Sequence, residues 1–198
     1  MVQVSQAKLV KGAIANQVVS FPTDTVPALA VKPEVAQKIF QLKQRPEHKP
    51  LILMGASLAE LLTYTSYTSD ELAAWQELIK KHFPGALTLV LPASTKVNAA
   101  LNPTNSHTIG IRIPNHSIAN EILRQTGVLA TSSANISGQK TLQDLDEIDQ
   151  LFPDVMVLAK SNFPVEKNSS GQPSTVIRWQ DRTWQVLRQG SIKIKLKK

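Results

Sequence analysis

Cysteine is absent from the 198 residues, which excludes disulfides, thiolate metal sites, iron–sulfur clusters and a cysteine nucleophile. Histidine is scarce: His48, His82, His107 and His116 are scattered without ligand spacing, so no metal site built from this chain's own residues is expected. No apolar run approaches the roughly 20 residues a membrane-spanning helix needs, and no membrane partner is expected. The opening MVQVSQAKLVKGAIANQ has no continuous apolar core or small-residue cleavage site, so an unexported, cytoplasmic protein is expected. The chain also lacks G-x-x-x-x-G-K-[ST], G-x-G-x-x-G, H-E-x-x-H and G-x-S-x-G. Any catalysis must therefore work through positioning and electrostatics.

What is present is enough for a core. At 42% hydrophobic content, residues 1–198 are expected to form a single domain. Short apolar runs alternate with helix-period segments, which predicts an α/β fold with a largely buried sheet. Helices are expected over residues 6–16, 57–62, 70–82 and 117–125, with Pro33 heading another to about residue 42. Strands are expected over 18–21, 51–54, 87–91, 108–113, 128–131, 155–158, 175–179 and 184–187. Thr141 reads as the N-cap of a helix ending near Leu151, and residues 164–173 read as a loop.

The charge is unevenly distributed. Residues 1–159 hold 13 basic and 13 acidic residues, so the net +7 comes from the 9 basic and 2 acidic residues of 160–198. A basic end of this kind fits a polyanion such as RNA or nucleotide phosphate, and equally fits a solvated tail, SIKIKLKK, kept for solubility.

Several segments are unusual for a purely structural role, although each has a plainer reading. In TIGIRI at 108–113 a period of two sets the isoleucines on one face and Thr108, Gly110 and Arg112 on the other. That second face fits an anion lying against the sheet, with Gly110 admitting close approach, or simply a solvated sheet face. KQRPEHKP at 43–50 concentrates Lys43, Arg45 and Lys49 in a proline-bounded loop. It could clamp a triphosphate or complement a helix C-terminus. TSSANISG at 131–138 puts small hydroxyl and amide groups at the carboxyl end of a strand, where open α/β sheets bind ligands, yet such a turn is also an ordinary loop. PTDT at 22–25 and PST at 173–175 share that ambiguity.

In their order along the chain, FPTDTVPAL at 21–29, KQRPEHKPLIL at 43–53, FPGALTLVLP at 83–92, TIGIRIPNH at 108–116, TSSANISG at 131–138, PSTVI at 173–177 and LRQG at 187–190 resemble the YrdC-like family of threonylcarbamoyl-AMP synthases, in its short single-domain form. The resemblance implies a twisted mixed sheet with flanking helices and a large concave basic face. It implies an enzyme that makes threonylcarbamoyl-AMP and pyrophosphate from L-threonine, bicarbonate and ATP with Mg2+, for modification of tRNA by downstream threonylcarbamoyl-transfer proteins. Carried over by position, Thr25, Thr108, Arg112, Thr131 and Ser174 would lie by threonine, with Arg112 anchoring its carboxylate. Lys43, Arg45, Lys49, Ser133, Asn135, Thr141 and Arg188 would face ATP, and Lys43 and Arg45 would be catalytic.

The chain departs from the family pattern at Thr25-Val26-Pro27-Ala28, where relatives commonly read T-x-[YF]-G, so an aromatic wall of the threonine pocket is missing or supplied from elsewhere. Lys49 and Met54 stand where many long-form relatives carry asparagine and histidine. Two rival functions accompany the resemblance: a double-stranded RNA-binding or ribosome-maturation module, and carbamoyl transfer in hydrogenase maturation, where a similar domain sits in a much longer chain.

Overall fold

The structure is a computed structural model and describes residues 3–104, 107–162 and 169–195. In chain order the elements are β1 (Gln3–Val4), α1 (Gln6–Ile14), β2 (Val19–Phe21), β3 (Ala28–Val31), α2 (Gln37–Lys43), β4 (Ile52–Met54), α3 (Leu58–Leu62), α4 (Ser69–His82), β5 (Leu87–Pro92), β6 (Thr108–Arg112), α5 (Ser117–Thr126), β7 (Leu129–Ser133), α6 (Leu145–Leu151), β8 (Met156–Leu158), β9 (Thr175–Gln180) and β10 (Thr183–Arg188). The strands join in one sheet in the order β1-β8-β2-β3-β7-β4-β6-β5-β9-β10. Both pairing senses occur: β4 lies parallel to β6 and β5 to β9, whereas β7 is antiparallel to β3 and β4. The expected α/β class with a mixed sheet and flanking helices is what forms.

Local chemistry explains most boundaries. The Thr68 side chain accepts from the Glu71 N–H while the Glu71 carboxylate accepts from the Thr68 N–H, so a capping box starts α4. His116 Nδ1 accepts from the Ala119 N–H and caps α5. Pro33 does head a helical turn, a 3-10 turn over Pro33–Val35, and α2 begins only at Gln37.

Three expectations are corrected. Thr141 is not a helix cap: Asp144 accepts from the Asp146 N–H at 2.8 Å and starts α6, while the Leu142 N–H bonds Ala134 O and closes the turn that follows β7. Strand β3 was not anticipated, because Ala28–Val31 is buried on both faces and shows no alternation. Strand β1 was missed because its two residues carry no periodicity. The loop expected over 164–173 falls partly outside the described residues.

Paired residues share a face, so the register divides the sheet. Leu53, Leu89, Ile109, Ile111, Ala130 and Ile177 point to one side and join Ile39 and Phe40 of α2, Leu61 of α3 and Trp75 of α4 in the largest core. On the other side, α1 and α5 cover Val19, Phe21, Ala30 and Leu129 through Leu9, Ala13, Ile122 and Leu123. Arg112, Thr88 and Thr131 occupy this second face. The site lies here, at the carboxyl end of β7.

Candidate functional site

Arg112 stands on the second face of β6 with its side chain 3% exposed. A guanidinium so removed from water needs compensation. Its Nη2 donates to Asp24 Oδ1 at 2.6 Å, its Nη1 to Thr25 Oγ1 at 2.8 Å, and its Nε to the Gly85 carbonyl at 3.1 Å. Burial pulls its pKa below the ordinary arginine value, and the Asp24 carboxylate pulls the other way. Thr23 Oγ1 donates to Val26 O at 2.8 Å, so the 3.0 Å contact between the two hydroxyls has Thr25 donating to Thr23. The PTDT turn is thereby fixed under Arg112. Asp24, not singled out from the sequence, is the counter-ion of the site; the signal available was an acid between two threonines directly after a buried strand.

The basic loop meets the β7 turn. Helix α2 ends as Gln44 adopts a left-handed φ of 49°, leaving Lys43 as the last helical residue. Its side chain is buried, and Nζ donates to the Ser133 carbonyl and to Asn135 Oδ1. Desolvation first, and then the neighbouring Arg45 charge, lower the Lys43 pKa to about 7. Asn135 is the hub: Oδ1 also accepts from Ser133 Oγ at 2.6 Å, and Nδ2 donates to the Ile136 and Gln139 carbonyls, both at 2.8 Å. With those donors occupied, Asn135 shapes the turn that holds Lys43. Arg45 donates through Nε to Lys49 O and through Nη2 to Pro50 O. Lys49 thus contributes a carbonyl here, while its side chain is exposed.

The third component is PST. Ser174 and Thr88 share a 2.8 Å hydroxyl contact, and Arg188 grips the Ser174 carbonyl with Nε at 3.2 Å and Nη2 at 2.9 Å. Two residues on, the Gly190 N–H donates to Thr175 Oγ1 at 2.9 Å. A Cβ on Gly190 would lie 2.2 Å from Pro173 O and 2.5 Å from Ser174 O, so only glycine allows this approach.

These segments enclose a small cavity with about 130 Å³ free, lined by Thr25, Arg45, Arg112, Thr131, Ser133, Ser174 and Arg188 among others. Pockets that enclose drug-sized molecules measure roughly 300–1,000 Å³. The hollow is too small to enclose a molecule of that size. Val26, Pro27, Ala28, Ile52 and Met54 form the apolar wall, and among the described residues no aromatic side chain lines the cavity. Lys43 and Asn135 sit directly behind the wall at Ser133. Thr108 and Thr141 are not among the residues lining the cavity: Thr108 pairs with Pro92 beyond the start of β4, and Thr141 lies past the turn that follows β7. The reading of Gly110 is also corrected. A Cβ there would lie 2.7 Å from Ile52 Cγ2, so the glycine makes room for Ile52 and not for an anion.

A mixed-sheet α/β domain with three arginines lining one hydroxyl-bearing hollow, and Lys43 directly behind it, is suited to anionic ligands. Comparison with known proteins agrees in kind. The Sua5/YciO/YrdC family model, described as telomere recombination, matches residues 13–190. A Vibrio campbellii protein named threonylcarbamoyl-AMP synthase is 30% identical over 92% of this chain and 97% of its own length. A Bacillus subtilis protein of the same name is 35% identical over 63% of this chain, which spans only 36% of that relative. Among solved structures, Pyrococcus abyssi Sua5 complexed with L-threonine has a TM-score of 0.81 at 27% identity, covering 95% of this chain and 55% of that one. Escherichia coli YciO has a TM-score of 0.79 at 26% identity, covering 98% and 95%. The chain belongs to the Sua5/YciO/YrdC family.

Breaking the buried pair should be costly. Asp24→Asn is expected to lower the unfolding free energy in urea by about 3–5 kcal/mol, since it strands a buried guanidinium; a variant as stable as the parent would remove Asp24 from this role. Gly190→Ala is expected to cost about 1–3 kcal/mol through overpacking against backbone, read in the same titration.

Proposed function

We propose that this cavity and its rim make threonylcarbamoyl-AMP and pyrophosphate from L-threonine, bicarbonate and ATP, supplying the activated group for threonylcarbamoyl modification of tRNA adenosine. The observation that carries the reading is geometric: Arg45, Arg112 and Arg188 line one hollow, and Lys43 sits directly behind it on the Ser133 carbonyl. Beyond desolvation, Arg45 depresses Lys43, and Arg188 depresses both Arg45 and Arg112. Such a cluster is relieved by a bound polyanion, which ATP is. The family membership and the relatives' names support the particular chemistry.

In this reading threonine takes the enclosed cavity. Arg112 and Ser174 receive its carboxylate, Thr25 and Thr131 its polar atoms, and the wall of Pro27, Ile52 and Met54 its methyl group. The threonine amine attacks CO2 derived from bicarbonate, loses a proton and becomes a carbamate. A carbamate oxygen then attacks the α-phosphorus of ATP as the bond to the β-phosphate oxygen breaks, and pyrophosphate leaves. No enzyme nucleophile takes part. Lys43, Arg45 and Arg188 offset the charge gathering on the departing pyrophosphate, which is electrostatic preorganisation. Mg2+ enters on the phosphates as MgATP: among the described residues no group of three or more His, Asp or Glu could hold a metal ion, and Asp24 is already paired to Arg112.

The product needs an acceptor, so partner proteins that carry the group to tRNA are part of the proposal. A cytoplasmic location goes with them; among the described residues no helix is long and apolar enough to cross a membrane. The basic excess of residues 160–198 is partly consumed within the fold, since Lys160 bridges Asp144 and Asp146 and Arg188 faces the cavity.

Pyrophosphate release from MgATP by the purified protein is expected to require threonine and bicarbonate together. Arg45→Ala should reduce that turnover by roughly 10²–10³, the cost of one preorganised donor, with an unchanged melting temperature. Absence of release under every condition, with RNA retained, would replace the synthase by an RNA-binding module.

The pH dependence follows from Lys43. Its folded pKa of about 7 lies below its ordinary 10.5, so the cost of burying its charge is present below pH 7 and is relieved as pH rises toward 10.5. In the free protein above pH 7 it is largely neutral, and phosphate favours the protonated form. ATP binding at pH 8 is therefore expected to take up a proton, seen as a buffer-dependent heat in titration calorimetry. Lys43→Met should abolish that uptake.

A further inference from the structure

Strand β10 breaks its own alternation just where it reaches the site. Along β10, Trp184 pairs with Trp179, Gln185 with Arg178 and Val186 with Ile177, after which the register shifts and Arg188 pairs with Val176. Leu187 is the extra residue, half exposed at 50%. The consequence follows from which face each partner occupies. Ile177 and Trp179 belong to the large core, and Trp184 packs against it, its ring 5.0 Å from that of Trp179. Val176 and Arg178 pair with Thr88 and Val90 of β5, on the face that carries Arg112. Uninterrupted alternation would put Arg188 on the same side as Trp184 and Val186, turned into the core. The bulge sends it to the cavity side instead, where it grips the Ser174 carbonyl.

We infer that Leu187 is a spacer that inverts the strand alternation so that Arg188 reaches the cavity, which makes it a positioning residue for the nucleotide side of the site. Bulges re-aim side chains beside active sites, and they also blunt the exposed edge of a sheet. Here the edge strand does both. The side chain of Leu187 is immaterial; its place in the count is what matters. The functional part of this inference rests on the synthase reading, whereas the placement of Arg188 does not.

The test separates position from composition. Exchanging the two residues, Leu187→Arg with Arg188→Leu, keeps the composition but moves the guanidinium to the spacer position. Deleting Leu187 removes the bulge yet leaves Arg188 opposite Val176. Placement is read on the full chain from the 15N arginine side-chain spectrum. The Arg188 Nε–Hε resonance, assigned by its loss in Arg188→Lys, is protected in the parent by the Ser174 carbonyl. Function is read from the KM for ATP in threonine-dependent pyrophosphate release, with circular dichroism melting as the check on folding. The deletion is expected to retain the protected resonance and a KM near the parent's. The exchange is expected to lose the resonance and raise the KM roughly tenfold or more, the loss of a charge-assisted contact. An exchange that keeps the resonance and the parent KM, or a folded deletion that loses both, overturns the inference. A parent that shows the protected resonance but releases no pyrophosphate sinks the synthase reading and leaves the placement standing.

Discussion

A guanidinium withdrawn from water in the middle of a sheet has to be matched from every direction, and Arg112 sets that requirement for this protein. Its three donor nitrogens reach Asp24, Thr25 and the Gly85 carbonyl, which come from the turn between β2 and β3 and from the entry to β5. These segments are far apart in sequence, and they are held together because leaving any of those groups unpaired inside the protein is costly. The PTDT turn is thus a consequence of the arginine as much as a ligand in its own right. Placing Thr25 beside Arg112 creates the enclosed half of the cavity.

The open half obeys the opposite logic. Among the described lining residues there is no carboxylate, and Arg45 and Arg188 at the rim, like Lys43 behind it, are held by carbonyl and amide oxygens of Ser133, Asn135, Lys49, Pro50 and Ser174. Carbonyl dipoles orient a cation without neutralising it, so the positive potential persists at the rim. A protein pays in stability for charge kept in this state, and sites of function are where such costs concentrate. Lys43, with its lowered pKa, shows the cost most directly. The two halves therefore differ: one buried ion pair shapes the pocket, and a cluster held by carbonyl and amide oxygens keeps positive charge at its rim.

The last strands complete the rim by close contact. Gly190 lets the chain after β10 press onto Pro173 and Ser174, and the Ser191 N–H bonds Pro173 O at 3.0 Å. The carbonyl that Arg188 grips is pinned from behind by the same turn. Edge-strand irregularity, backbone approach and the Thr88–Ser174 contact act on one short segment. This is why PST and LRQG, the last two motifs along the chain, belong to a single structural unit.

Much of this was legible in the residues. Period-two alternation in TIGIRI determined which face of β6 enters the core, because isoleucine and arginine cannot exchange sides without burying an unpaired charge; the alternation of apolar runs with helical segments likewise determined the α/β class. The basic loop and the hydroxyl-rich turn were visible as chemical anomalies. Other features depended on distance in space. Asp24 acquires meaning only when Arg112 is beside it, Asn135 proves to be a hub only once Lys43 arrives from α2, and Gly110 accommodates Ile52 because β4 pairs with β6. The helix cap read at Thr141 falls instead to Asp144, whose carboxylate accepts from the Asp146 N–H. Alternation alone would have turned Arg188 into the core. Sequence by itself determined the elements and the faces, since those follow from local periodicity and solvation. Tertiary structure alone decided counter-ions, close approaches and the register shift at Leu187, since each is a relation between segments that no local pattern encodes.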